Sequence, residues 1–157
     1  MIKSFLAVAT VAFLVAGCAA PLQPGATRAE AIARYGNPSR IVPLASGTRL
    51  QYSGQPAAQT VVMVDLDAAG RVVDVREVMS PEGFERVVVG KSTREDVERE
   101  LGRPALVDRV HAWNGDILNY RWRDGGFDMF FYVYLDAANV VRNTGRGMEI
   151  KGKGVDD

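Results

Sequence analysis

One block of this chain occurs twice, and the repetition constrains the fold more than any other feature. The stretch Gly90-Lys91-Ser92-Thr93-Arg94-Glu95-Asp96-Val97-Glu98-Arg99-Glu100-Leu101-Gly102-Arg103-Pro104 is echoed by Pro24-Gly25-Ala26-Thr27-Arg28-Ala29-Glu30-Ala31-Ile32-Ala33-Arg34-Tyr35-Gly36-Asn37-Pro38. Thr27-Arg28 matches Thr93-Arg94, Glu30 matches Asp96, and Tyr35 matches Leu101. Gly36 and Pro38 match Gly102 and Pro104. A second block follows in the same order at a nearly constant offset, Leu66-Asp67-Ala68-Ala69-Gly70 and then Leu135-Asp136-Ala137-Ala138-Asn139. Two blocks in one order indicate a duplicated unit. Each copy alone would bury only a marginal core, so both are expected in one packed body.

The repeated stretch reads as a short, bounded helix. Thr93 with Asp96, or Ser92 with Glu95, forms a capping pattern whose hydroxyl accepts from first-turn amides. Gly102 supplies a left-handed exit and Pro104 forbids resumption. Val97 and Leu101 make a stripe one turn apart, so the helix must lean on a partner. In the first copy the helix covers Thr27 to Tyr35, with Ala31, Ile32 and Tyr35 on its buried side.

Residues 1–17 have the shape of a secretory signal, with Lys3 before an apolar run too short to span a bilayer. Leu14-Val15-Ala16-Gly17-Cys18 resembles a bacterial lipobox. That resemblance implies cleavage before Cys18, a diacylglycerol thioether on its sulfur and an acylated amine, hence a lasting membrane anchor. Ala19 rather than Asp in the next position implies sorting to the outer membrane, with the protein on its periplasmic face. Residues 18–23 form a lipidated tether.

Strands follow each helix. In the first unit, residues 24–80, Thr48 to Ser53 alternates, Thr60 to Asp67 is rich in Val, and Arg71 to Val78 alternates again after a turn at Ala68-Ala69-Gly70. Ser80-Pro81-Glu82-Gly83 breaks the pattern and marks the junction. Phe84 to Val89 is a short strand or the approach to the next helix. The second unit, residues 81–144, offers a strand at Ala105 to Trp113, a hairpin turn at Asn114-Gly115-Asp116, and an alternating strand from Ile117 to Arg123. Asp124-Gly125-Gly126 turns the chain into Phe127 to Asp136, with Val140 to Asn143 pairing behind it. Residues 145–157 read as a flexible tail. The expected class is α+β: two tandem units, each a short helix or helix pair on a three- to four-stranded antiparallel sheet.

The 19 basic and 19 acidic residues cancel, which argues against a nucleic-acid binder. His111 is the sole histidine and has no nucleophile or orienting partner at recognisable spacing, so the expectation is no enzyme. No ligand spacing suggests a metal, and no cofactor motif is present. The stronger signal is a face. In Phe127 to Asp136, Met129, Phe131, Val133 and Leu135 point one way and Phe130, Tyr132 and Tyr134 the other. If the Leu135 face meets the helices, the three aromatics form a candidate partner-binding stripe, extended by Tyr120 and Trp122. The opposing reading has the stripe covered by the other repeat or the tail.

The pattern Gly-x-x-Thr-Arg-x-Asp-Val-x-x-x-Leu-Gly-x-Pro at Gly90 to Pro104, followed by aromatic strands and a Leu-Asp turn, resembles the SmpA/OmlA family of BamE-like outer-membrane lipoproteins. The resemblance is good from Val89 to about Asn143 and looser from Pro24 to Val78. It implies a scaffold that binds envelope proteins, among them the β-barrel assembly machinery. The tandem copies also resemble the β-lactamase inhibitory proteins, which implies a module that holds a periplasmic enzyme on an aromatic sheet face.

Overall fold

A computed structural model describes residues 21–150. The segment expected to be a signal peptide, Cys18, the first part of the expected tether and the last seven residues lie outside the described residues. The first half runs α1 (Arg28–Tyr35), β1 (Arg40–Leu44), β2 (Gly47–Ser53), β3 (Val61–Asp67) and β4 (Val72–Glu77). The second runs α2 (Pro81–Phe84), α3 (Arg94–Leu101), β5 (Leu106–Asp108), β6 (Ile117–Asp124), β7 (Phe127–Leu135) and β8 (Val141–Met148). The class is α+β, with two separate four-stranded antiparallel sheets ordered β1-β2-β3-β4 and β5-β6-β7-β8.

The halves share local chemistry in detail. Thr27 and Thr93 each cap a helix, accepting from Glu30 N and Asp96 N at 3.2 Å, while Glu30 and Asp96 reach back to the capping amides. Thr93 rather than Ser92 is the cap, because the Ser92 hydroxyl accepts from Val88 N instead. Asp67 and Asp136 each accept two turn amides through one carboxylate oxygen. Gly47 and Gly115 begin the approach to matching strands, and a Cβ on either would lie 2.0 Å from a carbonyl oxygen, of Leu66 or Leu135. Both sheets carry one irregularity in corresponding places, at Asp65/Leu66 and Tyr134/Leu135.

Side-chain alternation then stacks the elements. One face of the first sheet, with Leu50, Val64, Leu66 and Val72, shares a buried cluster with Ala31 of α1. Its opposite face, with Val61 and Met63, joins a larger cluster holding Val97 and Leu101 of α3 and Phe84 of α2. That cluster continues into Leu118, Tyr120, Trp122, Phe131, Val133 and Leu135 of the second sheet. The order is therefore α1, first sheet, α3 with α2, second sheet. α3 is gripped from both sides. Tyr120 donates its hydroxyl to the Gly102 carbonyl at 3.0 Å, and Gln51 donates to the carbonyls of Glu98 and Arg99 at 3.0 and 3.1 Å.

Several expectations need correction. No sequence pattern marks the strand Arg40–Leu44, because only Val42 is buried and Pro43 interrupts any alternation. Ser80 to Gly83 is not a plain break: Ser80 caps the single helical turn of α2, and Phe84 to Val89 is helix exit and loop. The strand expected over Ala105 to Trp113 shrinks to Leu106–Asp108, so Asn114-Gly115-Asp116 ends a longer loop rather than making a tight hairpin. Ile32 is only partly buried and stands outside the cluster that holds Ala31. The tail placed at residues 145–157 starts too early, since β8 pairs with β7 through Gly145, Gly147 and Met148.

Candidate aromatic docking face

The outer face of the second sheet is built by β7. Phe131, Val133 and Leu135 turn inward and are buried, so Phe130, Tyr132 and Tyr134 turn outward and stay partly exposed. Their rings form a continuous strip: Phe130 to Tyr132 at 5.8 Å and Tyr132 to Tyr134 at 6.5 Å between centroids. Trp113 extends the strip, edge-on to Tyr134 at 5.3 Å, with its indole N–H donated to the Leu135 carbonyl at 2.7 Å. The sequence pattern puts Trp113 at the end of an expected strand and gives it no part in this face. The signal available was its position two residues before Gly115, which folds the loop back over the sheet.

The neighbouring strands shape the ground beneath the rings. Tyr132 pairs with Gly145 and Phe130 with Gly147 on β8, and a Cβ at Gly147 would sit 3.1 Å from the Tyr132 ring. The glycines let Tyr132 lie down across the sheet. On β6 the outward positions are Ile117, Asn119 and Arg121, which pair with Tyr134, Tyr132 and Phe130. Asn119 is 1% exposed, donates to Asp108 at 2.7 Å, and leaves its Oδ1 without a protein partner. Burial, with Tyr134, Asp108 and Glu149 nearby, pushes the Tyr132 phenol up, so its hydroxyl stays protonated at neutral pH.

Tyr120 and Trp122 do not belong to this face. They pair with Phe131 and Met129, so they point into the core, at 0% and 2% exposure. Trp122 meets Phe84 edge-on at 5.2 Å. The polar residues that alternate with them, Asn119, Arg121 and Arg123, are the signal that the other side of β6 faces outward.

His111 is exposed in the β5–β6 loop rather than in a strand. A cleft of about 350 Å³ between that loop and the β7–β8 turn is lined by Arg109, Trp113, Asp116, Asp136 and Asn139. Asp116 there accepts from Arg94 and Arg109, which hold its carboxyl below the usual range. Asp136 is taken by turn amides and by Arg142. Among the described residues no three His, Cys, Asp or Glu side chains gather as metal ligands, and no helix is long and apolar enough to cross a membrane.

No protein-family model and no curated protein matches the chain. Among solved structures the chain is similar to a DUF4309 family protein, YjgB, from Bacillus subtilis, at 16% identity and a TM-score of 0.34, with 78% of each chain covered. A likeness that loose assigns neither fold nor function.

Proposed function

We propose that this chain is a non-enzymatic, periplasm-facing outer-membrane lipoprotein that serves as a protein-binding scaffold in envelope or β-barrel outer-membrane protein assembly. One observation carries the binding part: a partly exposed strip of four aromatic rings on the outer face of the second sheet. Aromatic side chains bury large area with few rotatable bonds and concentrate binding energy. The lipobox at Cys18 supports the membrane attachment. The resemblance of Gly90 to Pro104 to the SmpA/OmlA family supports the assembly role and two tandem BamE-like units, each a helix on its sheet.

Two measurements test this. The Cys18→Ser chain is expected in the soluble fraction after osmotic lysis; retention in the membrane fraction would remove the lipoprotein reading. Affinity capture of the lipidated protein after in-cell crosslinking is expected to enrich barrel-assembly subunits. The triple Phe130→Ala, Tyr132→Ala, Tyr134→Ala variant should lower that enrichment by at least about ten-fold. One dominant soluble enzyme in their place would favour the inhibitor-like alternative.

A further inference from the structure

The chain already contains one occupied version of the aromatic face. Superposing the two registers places Val61, Met63 and Asp65 where Phe130, Tyr132 and Tyr134 stand. It places Gln51 at Asn119, Arg49 at Ile117 and Arg40 at Leu106. In the first sheet this face is covered by α3, the helix of the following unit. Arg40 pairs with Glu98 at 3.3 Å, Arg49 binds the Arg99 carbonyl and Glu100 at 2.8 and 2.9 Å, and Gly102 rests on Val61 and Met63. The stack thus ends with a sheet face at one end and the back of α1 at the other, and these correspond to two surfaces that fit each other inside the molecule.

The chemistry of the two ends changes together. On α1 the counterparts of Glu95, Glu98, Arg99 and Gly102 are Ala29, Ile32, Ala33 and Gly36. Ala29, Ala33 and Gly36 are exposed, and Ile32 is partly exposed and packs in no core cluster. Where the internal contact pairs Arg40 with Glu98, the ends offer Leu106, 44% exposed, and Ile32. Where Arg49 meets Glu100, the ends offer the exposed Arg34, already 5.9 Å from the Tyr35 ring, and the partly exposed Tyr134, since Ile117 in the place of Arg49 is buried. Asn119, in the place of Gln51, is buried with an unpartnered amide oxygen. Apart from Arg34 and the buried Asn119, the charged members of the internal contact have apolar or aromatic counterparts at both ends.

We infer that the aromatic face docks the back of α1 from a second copy of this chain, so that copies stack head to tail and continue the alternation of helix and sheet. The contact is heterologous, so it extends into short rows rather than closing as a two-fold dimer. The inference rests on the reading of this face as a protein-binding surface and names its occupant.

The test uses the full-length chain in the bacterial envelope, with a photo-crosslinking amino acid at position 33. The expected product is a crosslinked pair of copies, mapped by mass spectrometry to peptides holding Leu106 or Phe130 to Tyr134. Ile32→Glu alone and Leu106→Arg alone should each lower its yield at least ten-fold. Together they recreate the internal Glu98–Arg40 pair and should restore it, which a loss of folding would not allow. Absence of the pair, or mapping to any other surface, overturns the inference. A probe at position 132 separates the two readings. If it captures another protein and never a second copy, head-to-tail stacking falls and the binding face stands; if it captures nothing, both fall.

Discussion

The Arg49→Ala variant is expected to lose about 3 kcal/mol of folding stability, measured by urea unfolding at neutral pH. Arg49 is 5% exposed and ties three elements together. Its guanidinium forks onto Asp65 at 2.6 and 2.9 Å, and one nitrogen also reaches the Arg99 carbonyl and Glu100 on α3. Alanine leaves a buried carboxylate with Arg76 alone, and the last turn of α3 loses a donor. Arg49→Lys should recover only part of the loss, because an ammonium cannot make the planar two-point contact. Stability unchanged from the wild type would mean that the link between the first sheet and α3 carries no net energy.

The same pair predicts an acid signature. Burial alone pushes the Asp65 carboxyl up, but the hydrogen-bonded Arg49, helped by Arg76, outweighs it and holds the group below the usual carboxylate range. A carboxyl lowered in the folded state contributes stability that is complete above its unfolded pKa, about 3.9, and is lost as pH falls through the lower folded value. The stability gap between wild type and Arg49→Ala should therefore be constant from about pH 7 to pH 5 and narrow below about pH 4. Carboxyls that do not touch Arg49 titrate alike in both proteins and cancel in the difference, so Asp65 and Glu100, the two acidic partners of Arg49, carry the signature. A gap that keeps its full size through that window would place the loss in packing rather than in the ion pair.

Much of this architecture was legible because it is written in local, repeated signals. The two capping boxes, the glycine exits and the Leu-Asp turns each depend on residues within one or two turns of chain. Strands that alternate between core and surface, such as β7, announce themselves for the same reason. What escaped reading has a shared physical cause. β1 is an edge strand with one buried residue, so no hydrophobic period marks it, and β5, exposed throughout, carries no period to show where it stops. β8 hides behind Gly145 and Gly147, whose lack of side chains serves the tyrosines lying over them. The division of the aromatic residues failed at one step. The parity within β7 was readable, but the parity between β6 and β7 is a matter of register. Register put Tyr120 opposite Phe131 rather than opposite Tyr132.

That register makes a prediction of its own, because it assigns two neighbouring aromatics opposite fates. Trp122→Ala is expected to cost about 4 kcal/mol, while Phe130→Ala costs about 1 kcal/mol. Trp122 fills the centre of the larger cluster against Phe84, with the Arg146 guanidinium 5.5 Å from its ring. Phe130 keeps one side in solvent and its removal opens no cavity. Trp122→Phe supplies a finer test. The indole N–H is buried without a protein acceptor, and such a group carries a desolvation cost of about 1–3 kcal/mol. Phenylalanine loses ring volume but removes that cost, so it should fall well short of the alanine penalty. Partner capture must follow the reverse order, strongly reduced in Phe130→Ala and retained in Trp122→Phe. If capture instead fails in the tryptophan variant while its unfolding midpoint stays at the wild-type value, Trp122 is a surface residue and the pairing of β6 with β7 is wrong by one position.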